Sequence, residues 1–413
     1  MFSIKLGLKN LTRQKRRNLT TALIIAFVFL AYLFMDSLMK GMEEMSFQNI
    51  INFETGHIQI ADSLYWEERE ELPLDNLIYL NQDLEKSVET IDGLLGASPE
   101  LRFSANLNNG NDETPVIGVG IIPEEYNEVF TTQKYLVAGS MFSPGESRAI
   151  IGKKLAELMD LKINDYITLL VRTKEDTFNT IEVEIAGLVN TPHPLINNGI
   201  VFIPLHIAQQ ALNVDNQISL ITIKIDNKKE IKNVLENLNQ TFQRKNLYLK
   251  AYSWQESAET VLALSAAQKV ETAIILIIIL LIGMVGIINN IILSALERTA
   301  EIGMMKALGM REWEIIFVFM VEATGIGIIG GLIGCLLGAA GVGWLVKYGH
   351  DVGYAGLDMS QYGIPLLNKI YGVWNYSAFV FILFFGIMVA LFSSIAPALW
   401  AAGKDPVKAI YHR

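Results

Sequence analysis

The chain has 413 residues, 51% hydrophobic and 18% charged, with a formal net charge of −10. Soluble domains carry about 25% charged residues, so this balance points to a membrane protein. The single cysteine, Cys335, excludes a disulfide scaffold and a multi-cysteine zinc site.

The charge is unevenly spread along the chain. Residues 43–268 hold 33 acidic and 17 basic side chains, and the rest of the chain holds 10 and 16. An acidic block is therefore set into an apolar, mildly basic frame. It is long enough for one or two folded domains, unsuited to nucleic acid, and too rich in branched and aromatic residues for disorder.

Residues 1–18 come first, with Lys5, Lys9, Arg13, Lys15, Arg16 and Arg17 and no acid. Ile4, Leu8 and Leu11 share one helical face beside the stripe of cations. This pattern suits an amphipathic basic helix on the inner leaflet, its cations against anionic lipid headgroups, and equally an ordinary positively charged flank. An apolar run then spans 19–38 and reads as an uncleaved anchor, because it is too long for a secretory signal and no small-residue cleavage site precedes Asp36. Transmembrane helix 1 and the start of a stalk are placed at 19–42.

The acidic block follows at 43–268. Residues 36–53 read as a helical continuation of the first span, and 253–271 as the approach to the second. Between them, 149–151, 167–172, 181–189, 199–203 and 220–225 are β-branched runs that predict strands. Helices are expected at 153–160, 204–212 and 228–242. The Pro192-His193-Pro194 and Asn197-Asn198-Gly199 turns break the chain. The block reads as an α+β extracytoplasmic (periplasmic) domain, with a candidate split into two subdomains near residues 140–150.

The stalk end and transmembrane helix 2 occupy 269–296, and residues 272–296 carry no charge. A connection at 297–314 leads to transmembrane helix 3 at 315–346, a short extracytoplasmic loop at 347–375, transmembrane helix 4 at 376–400 and a tail at 401–413. Basic residues cluster in 1–18, 297–314 and the tail, which places both termini and the 297–314 connection in the cytoplasm. The fold class expected is thus a membrane protein of four transmembrane α-helices with a large α+β extracytoplasmic domain inserted between spans 1 and 2.

Catalytic patterns are missing from the sequence. The five histidines show no metal-ligand spacing, and there is no nucleophile elbow and no phosphate-binding glycine loop with its Lys-Ser/Thr. Gly325-x-Gly327-x-x-Gly330 matches a dinucleotide fingerprint but lies inside span 3 with no strand before it. With Gly331, Gly334 and Gly338 it gives small-xxx-small pairs, which read as helix packing. Glu322 is the one acid well inside a span, a costly placement that leaves two readings open: pairing with Arg311, or a gating role.

The most specific stretch begins Glu297-Arg298-Thr299-Ala300-Glu301-Ile302-Gly303 and runs on through Met304, Met305, Lys306, Leu308 and Gly309 to Arg311. It reads as a short amphipathic helix with Ile302, Met305 and Leu308 on one face, ended by Gly309. The stretch resembles the signature of the FtsX-like permease family, which includes MacB-type exporters and the LolC/LolE lipoprotein-releasing permeases. Leu8-Lys9-Asn10-Leu11-Thr12-Arg13, Thr55-Gly56-His57-Ile58-Gln59-Ile60, Ile150-Ile151-Gly152-Lys153-Lys154 and the ending Asp405-Pro406-Val407-Lys408-Ala409-Ile410 resemble other parts of the same family.

The resemblance implies that residues 297–311 are a coupling helix seated in a groove of a separate ABC ATPase dimer, and that ATP and Mg are bound there and not by this chain. It implies a non-catalytic permease subunit of the bacterial inner membrane that passes motion to its outer domain. Implied partners are a second permease, homologous or identical, a lipoprotein substrate, a periplasmic carrier and membrane lipid, with no nucleic acid. The hairpin at 171–181 is short and lacks the proline-bearing hook of LolC-type subunits, a pattern closer to hookless LolE-type partners. Met42, Phe47, Leu262 and Leu264 are the candidate lipid contacts on the stalk. The alternatives are MacB-like efflux of a peptide or drug, and FtsX-like regulation of a cell-wall hydrolase.

Overall fold

The computed structural model describes residues 2–143, 145–245, 247–351 and 369–403. They form two compact units, a helical one of residues 2–43, 265–351 and 369–403 and a sheet-bearing one of residues 44–264. Most of the expected 347–375 loop and the tail from 404 onward lie outside the described residues.

Four helices are long and apolar enough to cross a membrane: Lys15–Thr55, Glu259–Glu297, Glu312–Tyr348 and Tyr376–Ala402. The first three run for 41, 39 and 37 residues. At 1.5 Å per residue that is roughly 55–60 Å, against a hydrocarbon core of about 30 Å, so each has length left over after one crossing. The last is interrupted at Ser394, between Tyr376–Ser393 and Ile395–Ala402.

The core of the helical unit draws Ile25, Phe29 and Leu33 from the first span, Phe319, Ala323 and Ile326 from the third, and Ile382 and Ala390 from the fourth. The third span is glycine-rich because its neighbours lie almost on its backbone. A Cβ on Gly334 would fall 2.6 Å from Phe29 Cβ and 2.9 Å from Ala26 Cα. Gly330 and Gly338 face Ala22 and Leu33 of the first span in the same way, while Gly327 and Gly331 meet Ala390 and Leu383 of the fourth. Such contacts give helices in lipid their van der Waals attraction, where burying apolar area brings nothing.

The second span leaves Ile274, Ile277, Ile278, Leu281, Ile282 and Val285 exposed, a continuous apolar surface suited to lipid. The opening helix Phe2–Arg13 packs on the third span, with Gly7 against Val321 and Leu11 against Gly325, and turns Ile4, Lys5, Leu8 and Lys9 outward.

The sheet unit is α+β, built on one ten-stranded mixed sheet. Its strands are β1 (Ile58–Asp62), β2 (Leu94–Asn108), β3 (Glu113–Ile121), β4 (Leu136–Gly139), β5 (Arg148–Gly152), β6 (Tyr166–Arg172), β7 (Phe178–Val189), β8 (Ile200–Pro204), β9 (Leu220–Ile225) and β10 (Leu249–Ser253). The spatial order is β10-β1-β9-β2-β3-β8-β5-β7-β4, and β6 bridges β2 and β7. The β3–β8 and β5–β7 pairs are parallel and the other ladders antiparallel.

Helices Lys153–Leu158, Leu205–Leu212 and Ile231–Arg244 occupy the stretches expected to be helical, although the last starts later, after a tight turn at Lys228–Glu230. The sheet runs unbroken past residues 140–150, where two subdomains were expected to part: β4 and β5 lie on either side of that point and both pair with β7. The long β2–β3 hairpin was not anticipated. Leu101, Phe103, Ala105 and Leu107 alternate into the core along β2, but Gly96, Pro99 and polar residues between them blur the run, and Pro115, Gly118 and Gly120 do the same in β3.

Candidate functional site

The connection between the second and third spans is a separate nine-residue helix, Thr299–Ala307. Arg298 breaks it from the second span with φ −110° and ψ 19°. Gly309 ends it at φ +94°, a left-handed value that glycine adopts without a Cβ clash. Thr299, Ile302 and Gly303 face inward, and Met305 packs half-buried against the same core.

The expected apolar face of Ile302, Met305 and Leu308 is split. Ile302 is buried, but Leu308 is 87% exposed and Met304, one turn before it, is 52% exposed. The reason is geometric: at about 100° per residue Leu308 lies about 120° round the helix from Ile302 and one turn above Met304, to whose carbonyl its N–H bonds, so it shares the exposed face of Met304. Lys306 is not a free surface cation, since its Nζ donates to the Ala402 carbonyl and pairs with Glu312 at 3.0 Å. Beside the helix, Leu6, Lys9 and Arg13 of the opening helix, together with Met304, Met305 and Leu308, line a cavity of about 680 Å³.

Several charges meet at the root of this helix. Arg298, 9% exposed, donates from Nε to Glu301 at 2.8 Å, from Nη2 to the Asn10 side-chain oxygen at 3.0 Å and from Nη1 to Glu322 at 3.3 Å. Ser294 donates to the other oxygen of Glu322 at 3.4 Å. Arg13 pairs with Glu301 at 2.8 Å, and Arg17 with Glu297. Burial opposes the charge on Glu301, but the hydrogen bond and charge of Arg298, with Arg13 beside it, hold its carboxyl below the usual range.

Glu322, 1% exposed, therefore has Arg298 as its cation and not Arg311. Arg311 instead sits at the start of the third span, where its N–H donates to Glu314 at 2.8 Å. Arg298 reaches Glu322 because it lies, 9% exposed, at the break beside the third span, whereas Arg311 is the N-cap of that span and only its backbone N–H is held by Glu314.

On the stalk stretches, Met42 and Leu262 are half-buried. Phe47 is half-buried as well, its ring 5.5 Å from that of Trp254. The side chain of Leu264 lies outside the described residues.

The sheet unit holds a second polar cluster, which the sequence did not single out. Glu100, 1% exposed, accepts from Arg102 at 2.8 Å and from the Thr222 hydroxyl at 2.7 Å. Arg102 also donates to the Glu54 carbonyl at 3.0 Å, and Glu54 meets His193 Nε2 at 2.9 Å. Burial works against the charge on Arg102, and Glu100 beside it more than restores it. Glu54, Glu100 and Arg102 line a cavity of about 320 Å³ whose walls include Phe53, Tyr65, Trp66 and Phe202. His193 lies in the turn expected between the prolines, just before the helix Pro194–Gly199, and is also a buried partner of Glu54. Among the described residues, no three His, Cys, Asp or Glu side chains converge as a metal site.

Against known proteins, the profile of the MacB-like periplasmic core domain matches residues 19–241, and that of the FtsX-like permease C-terminal domain matches residues 273–406. The chain is 22% identical over 365 residues to the lipoprotein-releasing system transmembrane protein LolC of Neisseria meningitidis, covering 84% of this chain and 83% of that one. It is 20% identical over 414 residues to an ABC transporter permease of Methanocaldococcus jannaschii, covering 98% and 97%. Among solved structures, the periplasmic region of MacB from Actinobacillus actinomycetemcomitans aligns at 13% identity and a TM-score of 0.37, over 52% of this chain and 96% of that one.

Proposed function

Because the chain belongs to the FtsX-like permease family with a MacB-like periplasmic core, we propose that it is the non-catalytic membrane subunit of an ATP-driven transporter that works by mechanical transmission. The cargo on this reading is a lipoprotein, taken from the outer leaflet of the inner membrane and handed to a periplasmic carrier. The helix Thr299–Ala307 meets a soluble ABC ATPase, and the sheet unit stands in the periplasm.

The observation that carries the reading is the exposure of Met304 and Leu308 on this helix. Two apolar side chains held out beside a cavity, on a helix fixed at its root by buried charge, suit insertion into a groove of a protein partner. The basic residues of 1–18 and 297–314 support a cytoplasmic place for that surface. The likeness to LolC over most of both chains supports lipoprotein as cargo. A second reading, MacB-like export of a peptide or drug, draws support from the MacB-like core over residues 19–241.

Purification of the tagged chain from its native membrane in mild detergent, with mass spectrometry of what accompanies it, tests both. An ABC ATPase with a second permease and acylated lipoproteins is the expected result. An ATPase with only copies of this chain and an adaptor would favour export, and a cell-wall hydrolase would favour a regulatory role. Absence of any ATPase would overturn the reading. Met304→Glu and Leu308→Glu, at exposed positions, should each strip the ATPase from the purified complex without reducing membrane insertion.

A further inference from the structure

We propose that Arg298 is a positioning residue that locks the Thr299–Ala307 helix, the opening helix and the third span into one moving body. The inference deepens the coupling reading above and rests on it for its use. The lock itself rests on geometry. A guanidinium is a planar fork of five donors, and here its three nitrogens point to three different elements. Nε holds Glu301 on the short helix, Nη2 holds Asn10 on the opening helix and Nη1 holds Glu322 on the third span. Arg298 is also the residue at which the backbone breaks from the second span, so the hinge and the lock are the same residue.

An arginine placed this way resolves a difficulty. A nine-residue helix joined to its spans by breaks at both ends would swing when pushed, and the push would be lost in the hinges. Cross-tied by one buried side chain, it can move only if the third span and opening helix move with it. Glu322 is then the anchor of the tie in the third span, where Arg298 and Ser294 both hydrogen-bond its buried carboxyl. Asn10, 4% exposed, commits its oxygen to Arg298, and its side chain also faces the Glu322 carboxyl, so the same three groups meet at one point.

Lysine cannot replace this arrangement. A single ammonium on a flexible stem keeps the charge but cannot reach three acceptors on three elements at fixed angles.

The test uses the full chain in lipid nanodiscs, with Cys335→Ala and spin labels at exposed Ala300 and Leu336, read by double electron–electron resonance. Arg298→Lys and Glu322→Gln should each widen the distance distribution roughly twofold, as a locked element gains a second arrangement. In the complex with its ATPase, the wild-type distance should stay the same when nucleotide binds, as it must within one body, whereas both variants should keep ATP turnover and let the distance shift. A distribution of unchanged width in both variants would overturn the lock. Glu322→Gln preserves side-chain volume but replaces the charge-paired contact with Arg298 by a weaker neutral one, so it decides the matter if Arg298→Lys fails to fold. A wild-type chain that carries no ATPase would sink the coupling reading alone, since the width is measured on the permease by itself.

Discussion

The two units bury the same kind of ion pair in opposite ways. In the sheet unit, Glu100 and Arg102 are two residues apart on β2 and share one face of it, so the pair exists as soon as the strand does. In the helical unit, Arg298 and Glu322 come from different helices, and the pair exists only when those helices are docked. A pair within one strand stabilises that strand, whereas a pair between elements reports whether they are together. The first is suited to a rigid body, and the second to a joint that must transmit movement.

The comparison breaks most easily at Arg102. Arg102→Met leaves Glu100 buried without its cation, which should cost about 3–5 kcal/mol. Thermal unfolding of the full chain followed by tryptophan fluorescence, with Trp66 and Trp254 in the sheet unit, measures it. Arg102→Met with Glu100→Leu should recover most of the loss. No recovery would mean that the pair is not what holds this part of the sheet together.

A smaller effect is expected where the helical unit relies on close backbones. Gly334→Ala puts a methyl within 2.6 Å of Phe29 Cβ and should destabilise by about 1–3 kcal/mol through overpacking. Gly343→Ala, whose nearest neighbour is 3.6 Å away, should instead gain up to about 1 kcal/mol of helix propensity. Heat-induced aggregation in detergent separates the two, and equal behaviour would contradict the close packing of the first and third spans.

The smallest effect concerns pH. His57 is buried, and its Nδ1 accepts the Ile225 N–H at 3.1 Å. Burial first, then Lys228 and Lys224, push its pKa down from 6.5 to about 4. The unfolded chain therefore binds a proton that the folded chain refuses across that window. The stability that His57 contributes is complete above about pH 6.5 and is lost as pH falls towards 4. His57→Gln should flatten this part of the melting-temperature profile, and an unchanged profile would assign the dependence to other groups.

How much of this was legible in the sequence depended on the range of the interaction. Hydropathy over twenty residues marks the spans, and the glycine spacing from Gly327 to Gly338 marks a packing face, because both patterns are local. Alternation along Leu101, Phe103, Ala105 and Leu107 was present too, but interrupted by residues that seldom sit in strands. The Arg298–Glu322 tie and the His193–Glu54 contact were out of reach, since 24 and 139 residues separate the partners. No local signal distinguishes Arg298 from Arg311, and only the break in the helix decides which one turns inward.

One detail of the sheet bears on how it responds to load. β1 begins just after the helix that ends at Thr55, β10 ends just before Trp254, and the two strands pair with Ile58 opposite Ser253. The Trp254 N–H adds a bond to the His57 carbonyl at the same corner. The chain thus enters and leaves the sheet at one end of neighbouring strands. Traction that parts these two points would unzip the β1–β10 ladder one rung at a time from that corner, while traction common to both would be shared by the whole sheet as a rigid plate. On the proposed transmission reading, a sheet held in this way follows pulls shared by its two ends and yields first at that corner when the pulls differ.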